Sequence, residues 1–381
     1  MSNKISRLMS NKNGIRGDLL IIKRPYHGDE RWEYEKILDF SANLNPLGPP
    51  EDLSSYVMSG IETVKGYPSH NSANLKNKLS EKYQIDPDQI IIGAGSVDLI
   101  RTFCRVILTK LDSVIVLHPT FAEYSYSSEL MQAKVNLIEL NFTNDFKLNE
   151  KAILNKIDNT TKVVFICNPN NPTGIITSKK SIEKIVEQCS LKDILVFVDE
   201  TLIDFIENSD EYSCVDLVNK FSNLFVIKSF TKTYAIPGIR LGYGFGYPVL
   251  IRVMEEIMSP WIVSSLAQHI GEELLKHHPK YGEQALNVIL KGKKQIFTGL
   301  KHIYPELEIS IPKSHFFFLP LREITNSAKE LKNHMLKNGI LIRDCSSFGM
   351  VNYVRFPVKL PMENDKLIEN FANIAKLAVK K

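Results

Sequence analysis

Short apolar runs alternate with amphipathic stretches between about residue 76 and residue 245. Several of the runs are rich in β-branched and aromatic residues and end at turn residues, which is typical of buried strands. They are "QIIIGAG", "DSVIVLHPT", "AKVNLIEL", "TKVVFICNP", "ILVFVDE" and "NLFVIKS". Helical periodicity lies between several of them, as in "SVDLIRTFCRVIL" and "SKKSIEKIVEQCS". The alternation predicts an α/β fold with a mostly parallel sheet and helices on both of its faces.

The pattern changes after residue 265, where two long amphipathic stretches precede short apolar ones. We predict helices at "SLAQHIGEELLKHH" and "YGEQALNVILKGKKQIFTGLKH", and strands at "LEISIP", "HFFFLPL", "ILIRDC" and "NYVRFPV". These elements predict a small α+β domain at residues 271–381, after a large domain at 59–270. Residues 1–58 show little periodicity, and we expect them to form an N-terminal arm and part of the small domain.

Length and composition are those of an ordinary globular protein with two domains. The chain has 381 residues, of which 44% are hydrophobic and 24% are charged, and its formal net charge is +4. Its basic residues are interspersed with acidic ones, which argues against nucleic-acid binding. The first residues lack the apolar core of a signal peptide, and no apolar run is long enough to cross a bilayer. We therefore expect a cytoplasmic protein with no membrane partner.

The five cysteines, at positions 104, 167, 189, 214 and 345, form no C-x-x-C pair. Their odd number argues against a disulfide framework. Cys104 and Cys167 lie in apolar runs, and we predict that they are buried thiols. The nine histidines form no cluster with metal-ligand spacing, so we expect no metal site.

Candidate chemistry gathers where the predicted strands end, at "GAGS", "HPTF", "NPNNPTG", "VDE" and "KSFTK". In a sheet of parallel strands, ligands bind at these carboxyl ends. The last motif opens the stretch "SFTKTYAIPGIRLGYGF", which holds Ser229, Lys232 and Arg240 among one proline and several glycines. This composition predicts that Lys232 lies on an irregular turn and not in a helix. Taken alone, the stretch fits a solvated loop equally well.

In their order and spacing, these motifs resemble the pyridoxal-phosphate-dependent enzymes of the aspartate aminotransferase fold, fold type I. The resemblance extends from about residue 25 to the end of the chain. It implies that the amine of Lys232 forms a Schiff base with the cofactor aldehyde and later moves protons. It also implies that Asp199 keeps the pyridine nitrogen protonated and that Asn171 donates a hydrogen bond to the ring oxygen. A cap or turn role is the alternative for both residues, and Leu202 stands where many relatives have a tyrosine.

The same resemblance supplies ligands for the cofactor phosphate. Gly95, Ser96 and Val97 precede and open a predicted helix, whose free N–H groups and dipole favour an anion. Ser229 and Arg240 match the side-chain ligands of the family, and Arg240 adds a fixed charge with a forked geometry.

Two aromatic positions extend the match. Phe121, with Tyr124 as the runner-up, matches the ring that stacks on the cofactor, although either is also compatible with an ordinary core position. Tyr67 matches a tyrosine that in the family reaches the phosphate of the neighbouring subunit. The resemblance therefore implies a homodimer with shared active sites.

Two arginines point to the substrate. Arg355, in "NYVRFPV", matches the arginine that binds the substrate carboxylate in the family, and Arg343, in "ILIRDC", suggests a second anionic group. Either arginine alone is also compatible with a surface salt bridge. Because we expect them on adjacent strands, we interpret them as a pair that binds a dianion.

One subgroup matches further, since "LDFSANLNPLGPP" at residues 38–50 is very similar to a signature of L-threonine-O-3-phosphate decarboxylases. Asn43 in this segment is a candidate substrate contact, with a plain turn residue as the alternative. His27 and Gly28, in "YHGD", resemble the loop that binds the substrate phosphate. Asp29 departs from the usual glycine there, and "SHFFF", which contains His315, departs from the usual Ala-Asn form.

The resemblance implies decarboxylation of O-phospho-L-threonine to (R)-1-amino-2-propanol O-phosphate, a step of cobalamin side-chain synthesis. O-phospho-L-serine is one methyl smaller and stays open as a substrate, because one methyl is worth only ~1–3 kcal/mol in discrimination. The first alternative is a histidinol-phosphate-type aminotransferase, which shares the cofactor residues. The second is a non-catalytic scaffold, which intact Lys232, Asp199 and Arg240 argue against.

Overall fold

The larger of two sheets carries the strand ends that the sequence singled out. The computed structural model describes residues 17–28, 30–325 and 327–379, and within them this sheet has seven strands in the spatial order β2-β8-β7-β6-β5-β3-β4. All strands are parallel except β8, which runs antiparallel between β2 and β7. The bounds are β2 (Ile90–Gly93), β3 (Ser113–His118), β4 (Lys134–Glu139), β5 (Thr161–Cys167), β6 (Leu195–Asp199), β7 (Leu224–Ser229) and β8 (Gly242–Phe245). The predicted α/β fold is confirmed.

Helices cover both faces of this sheet, which explains why its central strands are apolar at nearly every position. Val196 and Val198 of β6 pack on one side, while Phe197 packs on the other side with Phe103 at 5.0 Å between ring centroids. The helices are α1 (Leu53–Gly60), α2 (Ala73–Tyr83), α3 (Ser96–Ile107), α4 (Glu123–Leu130), α5 (Glu150–Lys156), α6 (Lys179–Ser190), α7 (Phe230–Thr233), α8 (Pro248–Ile257), α9 (Ser265–His277), α10 (Tyr281–Gln284), α11 (Leu286–Ile303), α12 (Ala328–Lys337) and α13 (Pro361–Val379).

A second sheet has its own core. Its order within the described residues is β1 (Leu38–Phe40), β10 (Ile340–Asp344), β11 (Tyr353–Pro357) and β9 (Phe316–Pro320). Helices α11, α12 and α13 supply the apolar side chains that pack with it, among them Ile296, Leu331 and Phe371. The strand predicted at "LEISIP" is wrong. The N–H groups of Leu307 and Ile309 donate to nearby carbonyl oxygens of Tyr304 and Leu307, so the segment forms no ladder.

The described part of the N-terminal region serves both sheets. Leu38–Phe40 pairs in parallel with β10 of the small sheet, whereas α1 packs on α9. The division at residues 58 and 270 stays a prediction. All five cysteines are buried and free. Among the described helices, none combines the length and the apolar character needed to cross a membrane.

Candidate active site

Lys232 lies in a single helical turn, α7, directly after β7, so the prediction that it stands outside a helix is wrong. The Ser229 hydroxyl caps this turn by accepting a hydrogen bond from the N–H of Thr231 at 3.1 Å. Burial, together with the positive charges of Arg355 and Arg240, lowers the pKa of Lys232 to about 8. An amine with this pKa is partly neutral near pH 8, which is the form that attacks an aldehyde.

Asp199 ends β6 and is 3% exposed. Its carboxylate accepts hydrogen bonds from the Tyr124 hydroxyl at 2.7 Å and from the N–H of Thr201 at 2.9 Å. Burial raises the pKa of Asp199, and these two hydrogen bonds oppose the rise. Both donors are neutral, so a cationic ring nitrogen would stabilise the buried charge further.

Gly95 forms a cradle just before helix α3. Its φ is +86°, and a Cβ there would lie 2.4 Å from Nη2 of Arg240. Gly242 is equally restricted, because its Cβ would lie 2.8 Å from the N atom of Ser96. Since Gly242 pairs with Ser229 across β8 and β7, Ser229 lies beside the cradle. Glycine is thus required where three backbone segments converge.

The cradle has the donors that a phosphate needs. The N–H groups of Ser96 and Val97 belong to the first turn of α3, where they have no acceptor within the helix. The exposed Arg240 guanidinium donates to the carbonyl oxygens of Pro237 at 3.1 Å and Ala94 at 3.4 Å, which holds it at the glycine turn. The residues present therefore fit a phosphate group at this place.

Arg355 and Asn171 are in direct contact. Arg355 is 5% exposed, and its Nη1 donates to Oδ1 of Asn171 while its Nη2 donates to the carbonyl oxygen of Ser41. Because Oδ1 of Asn171 accepts from the arginine, the Nδ2 group of the same amide stays available as a donor. One residue proposed to bind the cofactor is thus tied to one proposed to bind the substrate.

Arg343 faces Arg355 across the small sheet, since the two are direct partners in the antiparallel pairing of β10 and β11. Both are buried, with exposures of 3% and 5%. Nη2 of Arg343 donates to the Tyr26 carbonyl oxygen at 2.9 Å and to the Ser347 hydroxyl at 2.6 Å. Gly28 packs so closely that its Cβ would lie 2.0 Å from Nη1 of Arg343.

His27 contacts Glu123 and Phe121 of the large domain. Its Nε2 lies 2.8 Å from Oε1 of Glu123, and its ring centroid is 5.3 Å from that of Phe121. Burial would raise the pKa of Glu123, but His27 and Arg101 together hold it below the usual value. The described segment before residue 29 therefore bridges Arg343 and Phe121. Asp29 itself lies outside the described residues.

Asn43 and His315 are buried polar residues near the same site. The side-chain nitrogen and oxygen atoms of Asn43 and both ring nitrogens of His315 have no hydrogen-bond partner among the described residues. Burial lowers the pKa of His315 to about 3, and the charge of Arg355 contributes in the same direction. Asn43 lies between Ser41, which contacts Arg355, and Asn45, whose N–H donates to the Lys232 carbonyl oxygen at 3.1 Å.

The remaining predicted residues are placed less directly. Tyr124 stacks on Phe165 at 5.4 Å between ring centroids and gives its hydroxyl to Asp199, so it is an orienting partner that the sequence interpretation missed. Phe121 stays the candidate for stacking on the cofactor ring. Tyr67 is 81% exposed and stacks on Trp261 at 4.3 Å.

Known proteins resemble this chain over nearly its whole length. The family model for aminotransferase class I and II matches residues 35–371. A putative threonine-phosphate decarboxylase of Caldanaerobacter subterraneus subsp. tengcongensis is 33% identical over 352 residues, which cover 91% of this chain and 93% of the relative. A histidinol-phosphate aminotransferase of Methanocaldococcus jannaschii is 29% identical over 327 residues, 85% of each chain. The crystal structure of the histidinol-phosphate aminotransferase from Clostridium acetobutylicum is 27% identical, with a TM-score of 0.80 over 90% of this chain and 100% of that one.

Proposed function

Because this chain belongs to the aminotransferase class I and II family, whose members depend on pyridoxal phosphate, we propose that it decarboxylates O-phospho-L-threonine. The product would be (R)-1-amino-2-propanol O-phosphate, which would place the enzyme in cobalamin side-chain synthesis and in the cytoplasm. The observation that carries this proposal is the opposed pair of buried arginines, Arg343 and Arg355.

The cofactor would supply an aldehyde for the substrate amine and a ring that accepts electrons. Lys232 would hold the aldehyde, and Asp199 would hold the ring nitrogen in its protonated form. Asn171 would donate from Nδ2 to the ring oxygen, while Phe121 would stack on the ring. The N–H groups at Gly95, Ser96 and Val97 would bind the phosphate together with Ser229 and Arg240.

The charges of the small sheet suit a substrate with two anionic groups. O-phospho-L-threonine carries a carboxylate and a phosphate, and each suits the fork of an arginine. Arg355 would bind the carboxylate, because it already touches Asn171 beside the cofactor position. Arg343 would bind the phosphate with help from His27, Gly28 and Asn43. The Glu123 carboxylate nearby is matched by His27 and Arg101, which limits its repulsion of an anion.

Proton transfer is the second task of the site. Once the substrate amine has displaced it, the Lys232 amine is free to carry a proton, and a pKa of about 8 suits both uptake and release near neutral pH. We propose that Lys232 protonates the substrate Cα after CO₂ leaves. Neutral His315 would not compete for this proton, because its pKa lies near 3 through burial and the charge of Arg355.

A second candidate is a histidinol-phosphate-type aminotransferase. Two relatives described above carry that name, and a dicarboxylate such as 2-oxoglutarate would also suit two opposed arginines. Histidinol phosphate itself has no carboxylate, whereas O-phospho-L-threonine carries both a carboxylate and a phosphate, one for each arginine of the pair. This difference favours the decarboxylase.

We further propose that two copies of the chain form a homodimer with shared active sites. Tyr67 is 81% exposed and stacks on Trp261, and the segment just before it in the chain exposes two further apolar side chains, Met58 and Val64. A tyrosine stacked on a tryptophan at the surface is typical of an interface anchor. Sedimentation of the wild type and of Tyr67→Asp would test this, with dimer and monomer as the expected species.

The deciding experiment incubates purified protein with pyridoxal phosphate and O-phospho-L-threonine in the absence of any keto acid. Repeated turnover with release of CO₂ is the expected result, and O-phospho-L-serine in parallel shows which substrate is preferred. Turnover only after addition of 2-oxoglutarate, with glutamate formed, would establish the aminotransferase instead. Lys232→Ala is the control and should abolish either reaction.

A further inference from the structure

A buried lysine lies four residues before Lys232. Lys228, on β7, is 4% exposed, and its Nζ lies 2.7 Å from Oδ1 of Asp204 and 5.4 Å from the centroid of the Tyr83 ring. Burial disfavours the charge of Lys228, yet Asp204 raises its pKa above the ordinary value. Burial likewise opposes ionisation of Asp204, yet Lys228 holds the Asp204 pKa below its ordinary value. A buried ion pair between Lys228 and Asp204 therefore lies on the strand that leads into the turn of Lys232.

The other oxygen of Asp204 connects this pair to the active-site turn. Oδ2 accepts a hydrogen bond at 2.7 Å from the hydroxyl of Thr233, the residue that directly follows Lys232. The same hydroxyl lies 3.2 Å from the Ser229 carbonyl oxygen. Asn45 holds the turn from the opposite side, through its Nδ2 to the Thr233 carbonyl oxygen at 2.8 Å. The turn of Lys232 is therefore fixed by partners from three segments.

Asp204 also lies on the segment that begins at Asp199. The N–H of Glu200, the residue after Asp199, donates to the Ile227 carbonyl oxygen of β7. At the other end of the segment, Asp204 pairs with Lys228, the next residue of the same strand. A Cβ at Gly282 would lie 2.8 Å from Cβ of Asp204, so helix α10 packs against this end and confines it. One short segment thus connects the carboxylate proposed for the cofactor ring to the turn proposed for its aldehyde.

We propose that Lys228, Asp204 and Thr233 form a positioning network that fixes the Lys232 amine relative to Asp199. The proposal rests on the cofactor role of Lys232 and not on the identity of the substrate. A buried ion pair adds little net stability compared with apolar residues of similar volume, whereas a conformational role explains why charge is kept here. Within the described residues the network reaches the turn through the Thr233 hydroxyl, which can be removed almost without a change in volume.

Loosening the turn should raise the pKa of Lys232. Arg355 and Arg240 favour the neutral amine, while Asp39 and Asp199 favour the charged one. Burial and the two arginines dominate, because the turn keeps the amine inside the site. A loosened turn would let the amine approach water, and its pKa would rise toward that of an ordinary lysine.

The test uses the full-length protein loaded with pyridoxal phosphate and follows its absorbance as a function of pH, which would report protonation of the Lys232 nitrogen where it is joined to the cofactor. The surroundings that disfavour a positive charge on the free amine would act on this nitrogen in the same direction. Thr233→Val should move the midpoint upward by at least about half a pH unit, and Thr233→Ser should restore the wild-type midpoint. Asp204→Asn should move it in the same direction. With any substrate that turns over, Thr233→Val should lower kcat more than it changes KM.

Lys76→Met is the matched control, because Lys76 is also a buried lysine paired with a carboxylate, that of Glu255, on α2 away from the turn. It should lower the melting temperature without moving the midpoint. An unchanged midpoint in Thr233→Val, or an equal displacement in Lys76→Met, would overturn the proposal. If O-phospho-L-threonine is not decarboxylated, the proposed reaction fails while the pH titration still tests the network.

Discussion

The Tyr124 hydroxyl donates a hydrogen bond to Asp199 at 2.7 Å, and both side chains are almost completely buried. This bond orients the carboxylate and favours its charged form, against the burial that raises its pKa. Tyr124 and Phe121 are close in sequence and in contact, with ring centroids 5.8 Å apart. Their surroundings nevertheless differ, because the Tyr124 ring is packed in the core while the Phe121 ring lies next to His27.

Tyr124→Phe should weaken the binding of pyridoxal phosphate. A hydrogen bond to a charged group contributes about 1.5–3 kcal/mol, so the dissociation constant should rise by roughly 10- to 100-fold. Titration of the apoprotein with cofactor, followed by absorbance, measures this change. Tyr126→Phe is the control on the same helix and should bind the cofactor like the wild type. Equal affinities of the two variants for pyridoxal phosphate would show that the Tyr124 hydroxyl does not contribute to cofactor binding.

Gly95→Ala should abolish tight binding of the cofactor phosphate. The new Cβ would lie 2.4 Å from the Arg240 guanidinium, at a backbone φ of +86°. Gly339→Ala separates strain from site chemistry, because Gly339 has a φ of +76° but, apart from its chain neighbours, no described residue within 4 Å of its Cβ position. Gly339→Ala should lose about 1–2 kcal/mol of stability in denaturant unfolding, and Gly95→Ala about 1–3 kcal/mol, because its ψ of 166° places it in a region that is nearly restricted to glycine. Only Gly95→Ala should lose affinity for pyridoxal phosphate, and a similar loss in Gly339→Ala would contradict the cradle.

Arg343→Lys should change which substrate the enzyme prefers. A lysine keeps the charge but loses the forked geometry, so kcat/KM for O-phospho-L-threonine should fall by roughly 10- to 100-fold. Activity on L-threonine, which lacks the phosphate, should change much less. Arg355→Lys should instead lower the activity on both substrates, because its proposed partner is the carboxylate they share. Arg322→Lys, an exposed position of the same domain, should have no effect. Equal losses on both substrates in Arg343→Lys would refute the phosphate assignment.

Much of the site could be predicted because strand ends are local features of the sequence. Asp199, Ser229 and the glycine turn at Gly95 each follow a run of apolar residues, so their common edge follows from a parallel sheet. The adjacency of Arg343 and Arg355 was expected for a different reason, since each lies in one of two consecutive short apolar runs, and consecutive strands commonly pair. The contacts that were missed join distant positions, as His27 does with Glu123 and Lys228 with Asp204, and no periodic pattern reports such pairs. "LEISIP" alternates like a strand, but whether it has a partner to pair with depends on the tertiary fold.

The loading of the apoprotein with cofactor should depend on pH through Lys232. Burial and the nearby arginines lower its pKa to about 8, so the reactive neutral amine dominates above that pH. The second-order rate of loading should therefore fall about tenfold for each pH unit below 7 and level off above 8–9. Absorbance of the lysine-bound cofactor after rapid mixing measures the rate. A profile that keeps rising up to the ordinary lysine range, near pH 10, would show that the pKa of Lys232 is not lowered.

His315 should make the folded protein sensitive to acid. Burial and the charge of Arg355 lower its pKa to about 3, whereas in the unfolded chain it titrates near 6.5. Between these values the unfolded state binds one proton more than the folded state, so the free energy of unfolding falls as the pH falls through this window. The contribution approaches about 1.4 kcal/mol for each pH unit once the pH is well below 6.5.

Urea unfolding at pH 7, 5.5 and 4.5 checks this prediction. His315→Asn removes the titrating group, so it should lose less stability between pH 7 and pH 4.5 than the wild type does. His302→Asn replaces an exposed histidine on α11 and should follow the wild-type curve. Any cost of placing the smaller asparagine at this buried position is common to all three pH values, so the change of stability with pH still isolates the titration of His315. Parallel losses of stability in His315→Asn and the wild type would show that the pKa of His315 is not lowered in the folded state.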